Sequence, residues 1–257
     1  MDFRDFLNSG ILCDSHLHLS DFEKGQVELI NNPNYFCISS CHSKADFQKT
    51  QKLKSDSESN IFISFGIHPQ APDEGLIPVL EELLQDRKID AIGECGFDFF
   101  TDEFKAKKEE QQKVFDVQME LAAKYNLPVV IHGRKCVEQF FANSTKLKKC
   151  PSVIFHSFMG TAAEANSILE HGINAAFSFS KQLSNNNKKA IECVKTLPLD
   201  RLLFETDAPY QTLKGEKITA PEQIFSVYEA AFNIREEKDF FEFSAKISDN
   251  FKKFIGK

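Results

Sequence analysis

Six side chains of the types that bind divalent metals recur at the ends of short apolar runs in the sequence. They are His16, His18, Glu94, His132, His156 and Asp207. Imidazoles and carboxylates together suit Zn²⁺, Mn²⁺, Co²⁺ or Fe²⁺, and carboxylates suit Mg²⁺ less selectively. The set exceeds the roughly three protein ligands of one catalytic zinc, which favours two divalent ions with open coordination positions. Two such ions would activate water for hydrolysis near neutral pH.

The spacing His16-Leu17-His18 points two imidazoles to the same side of a strand, because strand side chains alternate with period two. Taken alone, such a pair is weak evidence, and a lone histidine or carboxylate is more often a hydrogen-bonded structural group. The occurrence of all six residues together favours a metal site over structural groups, because burying unpaired carboxylates without cations would be costly. Glu94 lies between the histidine groups and is the natural bridge between two ions.

The elements that must position these side chains are short apolar runs separated by helical stretches. Continuous runs such as Pro128-Val129-Val130-Ile131 are typical of parallel strands covered by helices. Candidate strands cover residues 11–18, 35–40, 61–68, 91–98, 128–133, 152–158, 173–180 and 202–207. Such alternation over 257 residues favours an α/β fold of the (β/α)8 TIM-type barrel over an open doubly wound sheet. The ligand-type residues then meet at the C-terminal ends of the strands, where such barrels carry their chemistry.

Helix signals fill the intervening segments. Residues 161–164 and 219–222 both fit the capping-box pattern, and Gly172 follows a predicted helix over 162–171. Residues 102–126 are rich in helix-forming types, and a last helix over about 239–254 would close the ring. We expect one barrel domain over residues 1–257, since no linker or low-complexity tract interrupts the alternation.

Composition limits the partners and the compartment. The net charge of −7 gives no global positive field for duplex nucleic acid, so a phosphate substrate would be recruited locally, by bound metal ions. The seven cysteines form no CxxC pair, which indicates free thiols in a reducing compartment. No signal pattern opens the chain, and no apolar run approaches the roughly 18 residues of a membrane span. We expect a cytoplasmic protein without a membrane partner.

An ordered set of motifs resembles the TatD-like metal-dependent hydrolases of the amidohydrolase superfamily. Any one motif is modest, but together they follow the family's order from about residue 11 to 210, and Asn250-Phe251 resembles its closing helix. The matching stretches are Asp14-Ser15-His16-Leu17-His18, Gly66-Ile67-His68-Pro69, Gly93-Glu94-Cys95-Gly96-Phe97-Asp98-Phe99, Ile131-His132-Gly133-Arg134, Phe155-His156-Ser157-Phe158-Met159-Gly160 and Glu205-Thr206-Asp207-Ala208-Pro209-Tyr210.

This resemblance implies a TIM-type barrel, a dinuclear metal centre and hydrolysis of phosphodiesters, typically by a deoxyribonuclease that trims DNA from a 3′ end. It implies that His16, His18, Glu94 and Asp207 hold one ion, and that Glu94, His132 and His156 hold the other. The chain departs from the family at Phe97, where leucine is usual, and over residues 211–217. There the family commonly has a loop containing Arg and Asn, so the change bears on substrate preference and leaves the ligands intact.

Further roles follow from residue chemistry. We expect Asp207 to act both as a ligand and as the acceptor of a proton from the attacking water. We expect His68 and Arg134 to contact the phosphate, since guanidinium donors suit phosphate oxygens. Asp98 either orients a ligand histidine or caps a loop, and Tyr210 either stacks on a base or packs under the final loop.

Several ligand-type residues are interpreted as structural. His42 and His171 are placed in this group, with His171 at a helix C-terminus. Cys95 alternates away from Glu94 and is rejected as a ligand, and Cys41 is disfavoured.

Two other functions compete. The same site could serve a small-molecule amidohydrolase, phosphotriesterase or lactonase, although no lysine stands at the Glu94 position to form a carbamylated bridge. A non-enzymatic scaffold is the other alternative, and the complete ligand set argues against it. The sequence leaves open the metal, the choice of DNA or RNA, exo or endo cleavage and the oligomeric state.

Overall fold

Eight parallel strands form one sheet in chain order in the computed structural model, which describes residues 6–23 and 25–257. The strands are β1 (Leu12–Leu17), β2 (Tyr35–Cys41), β3 (Asn60–Phe65), β4 (Ala91–Asp98), β5 (Val129–Arg134), β6 (Val153–Phe155), β7 (Ala175–Phe179) and β8 (Leu202–Phe204).

The two edges of this sheet meet. The His18 N–H donates to the Ala208 carbonyl at 2.8 Å, and the Asp207 N–H donates to the His16 carbonyl at 2.9 Å. These bonds join β1 to the segment that follows β8, so the sheet curls into a barrel. The predicted (β/α)8 barrel is confirmed, and the open doubly wound sheet is excluded.

Three strands, β3, β6 and β8, each end three residues earlier than the sequence predicts. β6 ends at Phe155 and β8 at Phe204, so His156 and Asp207 lie in the segments just beyond their strands. The backbone turns there, because Ser157 and Asp207 have φ angles of 43° and 55°, in the left-handed region that strands do not use. These turns aim the last side chains of each strand into the open end of the barrel.

The helices lie outside the barrel between the strands. They are α1 (Lys44–Ser55), α2 (Ile77–Gln85), α3 (Asp102–Ala106), α4 (Lys108–Tyr125), α5 (Val137–Ala142), α6 (Ser144–Leu147), α7 (Ala162–Glu170), α8 (Lys188–Thr196), α9 (Ile224–Arg235) and α10 (Phe240–Ile255). Short 3-10 turns cover Leu19–Asp21, Leu29–Asn31, Glu74–Leu76, Lys181–Leu183, Leu199–Arg201 and Pro221–Gln223. Within the described ranges, no helix has both the length and the apolar character needed to cross a membrane.

The structure corrects two details of the helix predictions. The predicted helix over 102–126 is divided into α3 and α4 at Lys107. The capping box at Thr161 is present, but the one predicted over 219–222 is not. Instead the Ala220 N–H donates to the Gln223 side chain at 2.9 Å, while Thr219 Oγ1 accepts from the buried Lys181 ammonium at 3.0 Å. The threonine hydroxyl is therefore engaged by a long-range partner rather than by its own helix.

The N-terminal end of the barrel is closed by a dry apolar layer, here called the floor. Strand residues supply most of it, and α10 covers it from below with Phe251, Phe254 and Ile255. Its strand residues are Cys13, Ile38, Ala91, Val130, Ile154, Ala176 and Leu203. Burying each such large side chain stabilises the fold by about 1.5–3 kcal/mol, so the closing helix is a main source of stability.

A layer of serines separates the floor from the opposite end. Ser15 Oγ lies 2.6 Å from Ser178 Oγ, and Ser40 Oγ lies 2.8 Å from Ser64 Oγ. Each stands two residues beyond a barrel-facing position in its strand, so period-two alternation points it inward. The hydroxyls satisfy one another, which lets the interior change from apolar to polar without unpaired groups.

Candidate metal centre

Glycines on both sides of Glu94 allow its strand to approach β5 closely. Gly93 and Gly96 have φ angles of +148° and +140°. A Cβ at Gly93 would lie 2.4 Å from the Val130 carbonyl oxygen, and one at Gly96 would lie 2.1 Å from the His132 carbonyl oxygen. Only glycine fits both positions, so the sequence Gly-Glu-Cys-Gly sets the carboxylate at the axis of the barrel mouth.

One oxygen of the Glu94 carboxylate faces imidazoles from the first two strands. Glu94 Oε1 lies 3.2 Å from His16 Nε2 and 3.3 Å from His18 Nε2. The Nε2 atom of His42, which directly follows β2, lies 3.1 Å from the same oxygen. His42, which the sequence analysis interpreted as structural, thus lies within the cluster. Its position at a strand's C-terminal end is the signal that could have identified it.

The other oxygen faces imidazoles from later strands. Glu94 Oε2 lies 2.8 Å from His156 Nε2 and 3.4 Å from His132 Nδ1. His68 Nε2 lies further away, at 3.6 Å. Each carboxylate oxygen thus meets its own group of imidazoles, as a bridge between two cations requires.

Asp207 lies on the first of these two sides. Its Oδ1 is 3.4 Å from His18 Nε2 and 3.6 Å from His16 Nε2. Its Oδ2 accepts a hydrogen bond from the Gln211 side-chain amide at 2.8 Å. The left-handed backbone at Asp207, which aspartate tolerates better than most residues, directs the carboxylate into the mouth.

The donor set fits divalent cations. His16 is fully buried, and its Nε2 has no hydrogen-bond partner among the described residues although two carboxylates flank it. Leaving such an atom unsatisfied costs about 1–3 kcal/mol, which a cation would remove. Donor atoms of His16, His18 and Asp207 lie within 4.8 Å of one another, and so do those of His16, Glu94 and His156.

Asp98 orients one of the histidines. Its Oδ2 accepts from His132 Nε2 at 3.1 Å and from the Gln70 amide at 2.8 Å, while Oδ1 accepts from the Phe100 N–H at 2.9 Å. The proton of His132 is therefore on Nε2, and the Nδ1 lone pair faces Glu94. This carboxylate–histidine arrangement is typical of metal ligands, and Asp98 combines it with the loop-capping bond from the Phe100 N–H.

Two further carboxylates beneath the centre were not singled out from the sequence. Glu205 Oε1 accepts from the Ser157 N–H at 2.7 Å and lies 3.5 Å from His156 Nδ1. Asp14 accepts from the Thr206 hydroxyl at 2.6 Å, and burial raises the pKa of Asp14 to about 8. Both residues stand inside the matching motifs, which was the available signal.

The imidazoles keep the central carboxylates ionised. Burial acts to raise the pKa of Glu94, but the charges of His16 and His156 lower that pKa well below its usual value. Burial also opposes ionisation of Asp207, whose pKa is lowered by its hydrogen bond with His18 and by the neighbouring histidines. Both carboxylates are therefore in the state that binds cations.

The predicted phosphate contacts lie beside this cluster. The Gln70 N–H donates to His68 Nδ1 at 3.2 Å, so the ring proton of His68 is on Nε2 and is available to an anion. Burial lowers the pKa of His68 to about 4, which keeps the ring neutral. The Arg134 guanidinium stacks 3.9 Å from the Phe100 ring centroid and reaches within 3.8 Å of Asp98.

A cavity of about 760 Å³ opens above the cluster, a size common for ligand sites. Tyr210 stands at its rim, half exposed, with its hydroxyl donating to Asp21 at 2.8 Å. An adjoining cavity of about 440 Å³ contains Phe100 and Lys135 and shares Arg134 with the first.

The remaining ligand-type residues lie apart from the cluster. His171 is exposed at the end of α7, where its Nδ1 donates to the Ser167 carbonyl at 2.8 Å. The thiols of Cys41 and Cys95 are buried against Thr50 and the Val130 carbonyl. None of these three side chains belongs to the candidate metal-binding groups among the described residues.

A (β/α)8 barrel with a cluster of histidines and carboxylates at its C-terminal mouth defines the class to which this protein belongs. Comparison with known families identifies its family within that class. The family model described as TatD related DNase matches residues 13–256. The chain belongs to this family.

Named relatives and solved structures agree with this placement. A 3′-5′ ssDNA/RNA exonuclease TatD of Pantoea ananatis is 33% identical over 63% of this chain, and the chain spans 64% of the length of that relative. An uncharacterized metal-dependent hydrolase of Haemophilus influenzae is 29% identical over 87% of this chain and 92% of its own. The crystal structure of YjjV, a TatD homologue from Escherichia coli K12, has a TM-score of 0.84 at 23% identity, covering 96% of this chain and 98% of its own, which shows the shared fold.

Proposed function

We propose that this protein is a divalent-metal-dependent hydrolase that cleaves phosphodiester bonds of DNA, acting as a 3′–5′ exonuclease. The observation that carries the proposal is the buried Glu94 carboxylate, with imidazoles grouped around each of its two oxygens. The Pantoea ananatis relative, named as an exonuclease on single-stranded DNA and RNA, supports the substrate class.

Two ions fit the donor set. His16, His18, Glu94 and Asp207 would hold the first, and Glu94, His132 and His156 would hold the second. When bound, such ions would lower the pKa of a coordinated water and would stabilise negative charge on the phosphate. The chain's own contribution is to fix the donors, which Asp98 does for His132 by accepting its N–H.

The remaining steps belong to protein side chains. Asp207 is placed to accept the proton of the attacking water, with its Oδ2 held by Gln211. His68 Nε2–H and the Arg134 guanidinium donate to phosphate oxygens and orient the scissile group. Together these residues supply the anion-binding groups that a chain of net charge −7 lacks over its surface as a whole.

The shape of the mouth supports a strand end as substrate. A cavity of about 760 Å³ at the top of a barrel accommodates a terminal nucleotide more readily than the middle of a duplex. Half-exposed Tyr210 stands at its rim and half-exposed Phe100 lines the adjoining cavity, so bases of the following nucleotides can stack on either ring.

The test uses single-stranded DNA and RNA labelled at either end, incubated with the protein and Mn²⁺, Mg²⁺, Zn²⁺ or Co²⁺ in turn. We expect the 5′-labelled DNA strand to shorten progressively and the 3′-labelled strand to release labelled mononucleotide at once. Glu94→Gln provides the inactive control. Absence of DNA cleavage with every metal, together with turnover of lactones or organophosphates, would overturn the substrate and favour the small-molecule alternative.

A further inference from the structure

The His42 imidazole lies at the centre, but it belongs to neither of the two ligand sets proposed above. It directly follows β2, and its side chain is 27% exposed. Its Nε2 lies 3.1 Å from Glu94 Oε1, and the donor atoms of His18, His42 and Glu94 lie within 4.8 Å of one another.

The hydrogen bonding of the ring determines which nitrogen of His42 carries the proton. His42 Nδ1 lies 3.2 Å from the Gly66 carbonyl oxygen, which can only accept, so Nδ1–H is the donor. In the neutral ring, which is the form that binds metal ions, Nε2 carries the lone pair and lies beside the Glu94 carboxylate oxygen. A bond from the far ring nitrogen to a backbone carbonyl is also the arrangement that metal-binding histidines use.

His68 provides an internal contrast on the other side of Glu94. There the Gln70 N–H donates to Nδ1, which places the proton on Nε2 and makes that atom a donor toward Glu94. His68 therefore suits an anion, whereas His42 suits a cation. The two rings stand 5.2 Å apart, so the difference arises from their backbone partners and not from distance to the centre.

We propose that His42 is a ligand of the first metal ion, which it binds together with His18 and Glu94. An imidazole nitrogen has one lone pair, so His18 Nε2 can bind only one ion. The ion held by His42 is therefore the first ion and not an extra one. This inference rests on the metal centre of the proposed function and does not depend on the substrate.

The additional ligand has a consequence for metal preference. It gives the first position three imidazoles, from His16, His18 and His42, while the second position has those of His132 and His156. Imidazole-rich sites favour Zn²⁺ and Co²⁺ over Mg²⁺, which prefers oxygen ligands. We therefore expect His42 to raise the affinity of the first position for Zn²⁺ much more than for Mg²⁺.

The experiment compares His42→Ala and His42→Phe with the wild type after removal of metal. Phenylalanine retains a ring of similar size without a lone pair, which separates ligation from packing. His171→Ala is the matched control, because His171 makes the same bond from Nδ1 to a backbone carbonyl but is exposed and distant from the cluster. Zn²⁺ affinity is measured by chelator competition and Mg²⁺ affinity by calorimetry.

Both His42 variants should weaken the tighter Zn²⁺ site by at least about tenfold and change Mg²⁺ affinity by less than about threefold. In the Co²⁺-loaded protein, the proton NMR spectrum should lose one exchangeable, paramagnetically shifted N–H signal, that of His42 Nδ1–H. His171→Ala should change neither measurement.

Wild-type Zn²⁺ affinity in His42→Ala, or its restoration by His42→Phe, would overturn the proposal, as would an equal loss of Zn²⁺ and Mg²⁺ binding. Selective loss of Zn²⁺ affinity in a protein that cleaves no DNA would support His42 as a ligand while overturning only the substrate. DNA cleavage by the wild type, together with unchanged metal binding in both His42 variants, would support the substrate and overturn His42 as a ligand.

Discussion

The two ends of the barrel are built from the same strands and differ in almost every physical property. β2 shows the change within one segment, because Ile38 belongs to the floor, Ser40 to the serine layer and His42 to the mouth. Successive inward positions are two residues apart, so this change takes about 13 Å. The strand direction alone separates a region that stabilises the fold from one that can do chemistry.

The two ends also differ in whether their buried polar atoms have hydrogen-bond partners. The floor is dry and gains from every buried methylene, whereas the mouth holds His16 Nε2 without a hydrogen-bond partner in the described chain. Burial in the mouth opposes ionisation, and the neighbouring histidines are what lower the pKa values of Glu94 and Asp207. Substitutions should therefore separate into those that lower stability and those that lower activity.

The largest effect is expected from Glu94→Gln, which removes the charge between the two imidazole groups. We expect metal-dependent cleavage to fall by about 10⁴-fold, equivalent to about 5 kcal/mol in the activation barrier. The free energy of unfolding of the metal-free protein should fall only modestly, because the ionised carboxylate is paired with histidines that lower its pKa, while its burial opposes that gain. Rate measurements and urea denaturation together check this. A large loss of apo stability would show that the mouth, like the floor, maintains the fold.

At the opposite end, Phe254→Ala should lower the free energy of unfolding by about 3–5 kcal/mol, because it opens a cavity where α10 covers the floor. Activity per folded molecule should not change. Urea denaturation and kinetics below the unfolding transition measure the two quantities. Phe254→Leu, which retains most of the apolar volume, should recover much of the loss. Altered metal affinity in the alanine variant would mean that the two ends are coupled.

Removal of metal also tests whether the mouth and the floor contribute separately to stability, and it needs no substitution at the mouth. A metal that binds only the folded state adds about 2.7 kcal/mol at a concentration 100 times its dissociation constant. Thermal unfolding with and without a chelator should show this gain in the wild type and an equal gain in Phe254→Ala. The gain should vanish in Glu94→Gln. A gain that persists there would place the stabilising ion outside the centre.

A smaller effect is expected at Asp98, which holds His132 through its Nε2–H without facing the ions itself. Asp98→Asn should reduce metal affinity or activity by about 10–100-fold, because the amide no longer fixes the proton of His132 as firmly. Metal titration of the second position checks this directly. Asp73→Asn, at an exposed turn where the side chain accepts from the Gly75 N–H, serves as the control.

The barrel and most of the centre could be predicted from the sequence because both depend on local patterns. Apolar runs of strand length defined the sheet, and β4 begins and ends where its apolar run predicted. Ligand types at the ends of these runs then had to meet, since parallel strands share one mouth. His16 and His156 are far apart in sequence, yet their ring centroids are 4.0 Å apart.

What could not be predicted depends on contacts between distant segments. His42 stands alone after its strand, and its ring is oriented by the Gly66 carbonyl, which follows the next strand, and by the Glu94 carboxylate. Thr219 matches a local capping pattern, yet the buried Lys181 takes its hydroxyl. Asp207 reaches the mouth through a left-handed turn that no periodicity encodes. Such partners are chosen by the tertiary fold, so local preference alone did not identify them.

The loop over residues 211–217, where the sequence departs from the TatD-like pattern, gives the smallest predicted effect. The Gln211 amide donates to Asp207 Oδ2 at 2.8 Å and to Ser157 Oγ at 2.7 Å, and it therefore fixes which Asp207 oxygen faces the histidines. Gln211→Leu removes these two bonds at a half-buried position, together with the bond that Gln211 Oε1 accepts from the Ser180 hydroxyl. The loss of one bond to a charged group should lower the rate by about tenfold, or about 1.4 kcal/mol.

Because Gln211 acts through Asp207, its removal should lower kcat more than it raises KM and should leave Zn²⁺ affinity within about threefold of wild type. Gln85→Leu, at the exposed end of α2, controls for the change of side-chain type. A rise in KM with unchanged kcat would instead show that the loop contacts the substrate. The departure from the family pattern would then concern recognition of the nucleic-acid strand. The left-handed turn alone would hold Asp207 in its orientation.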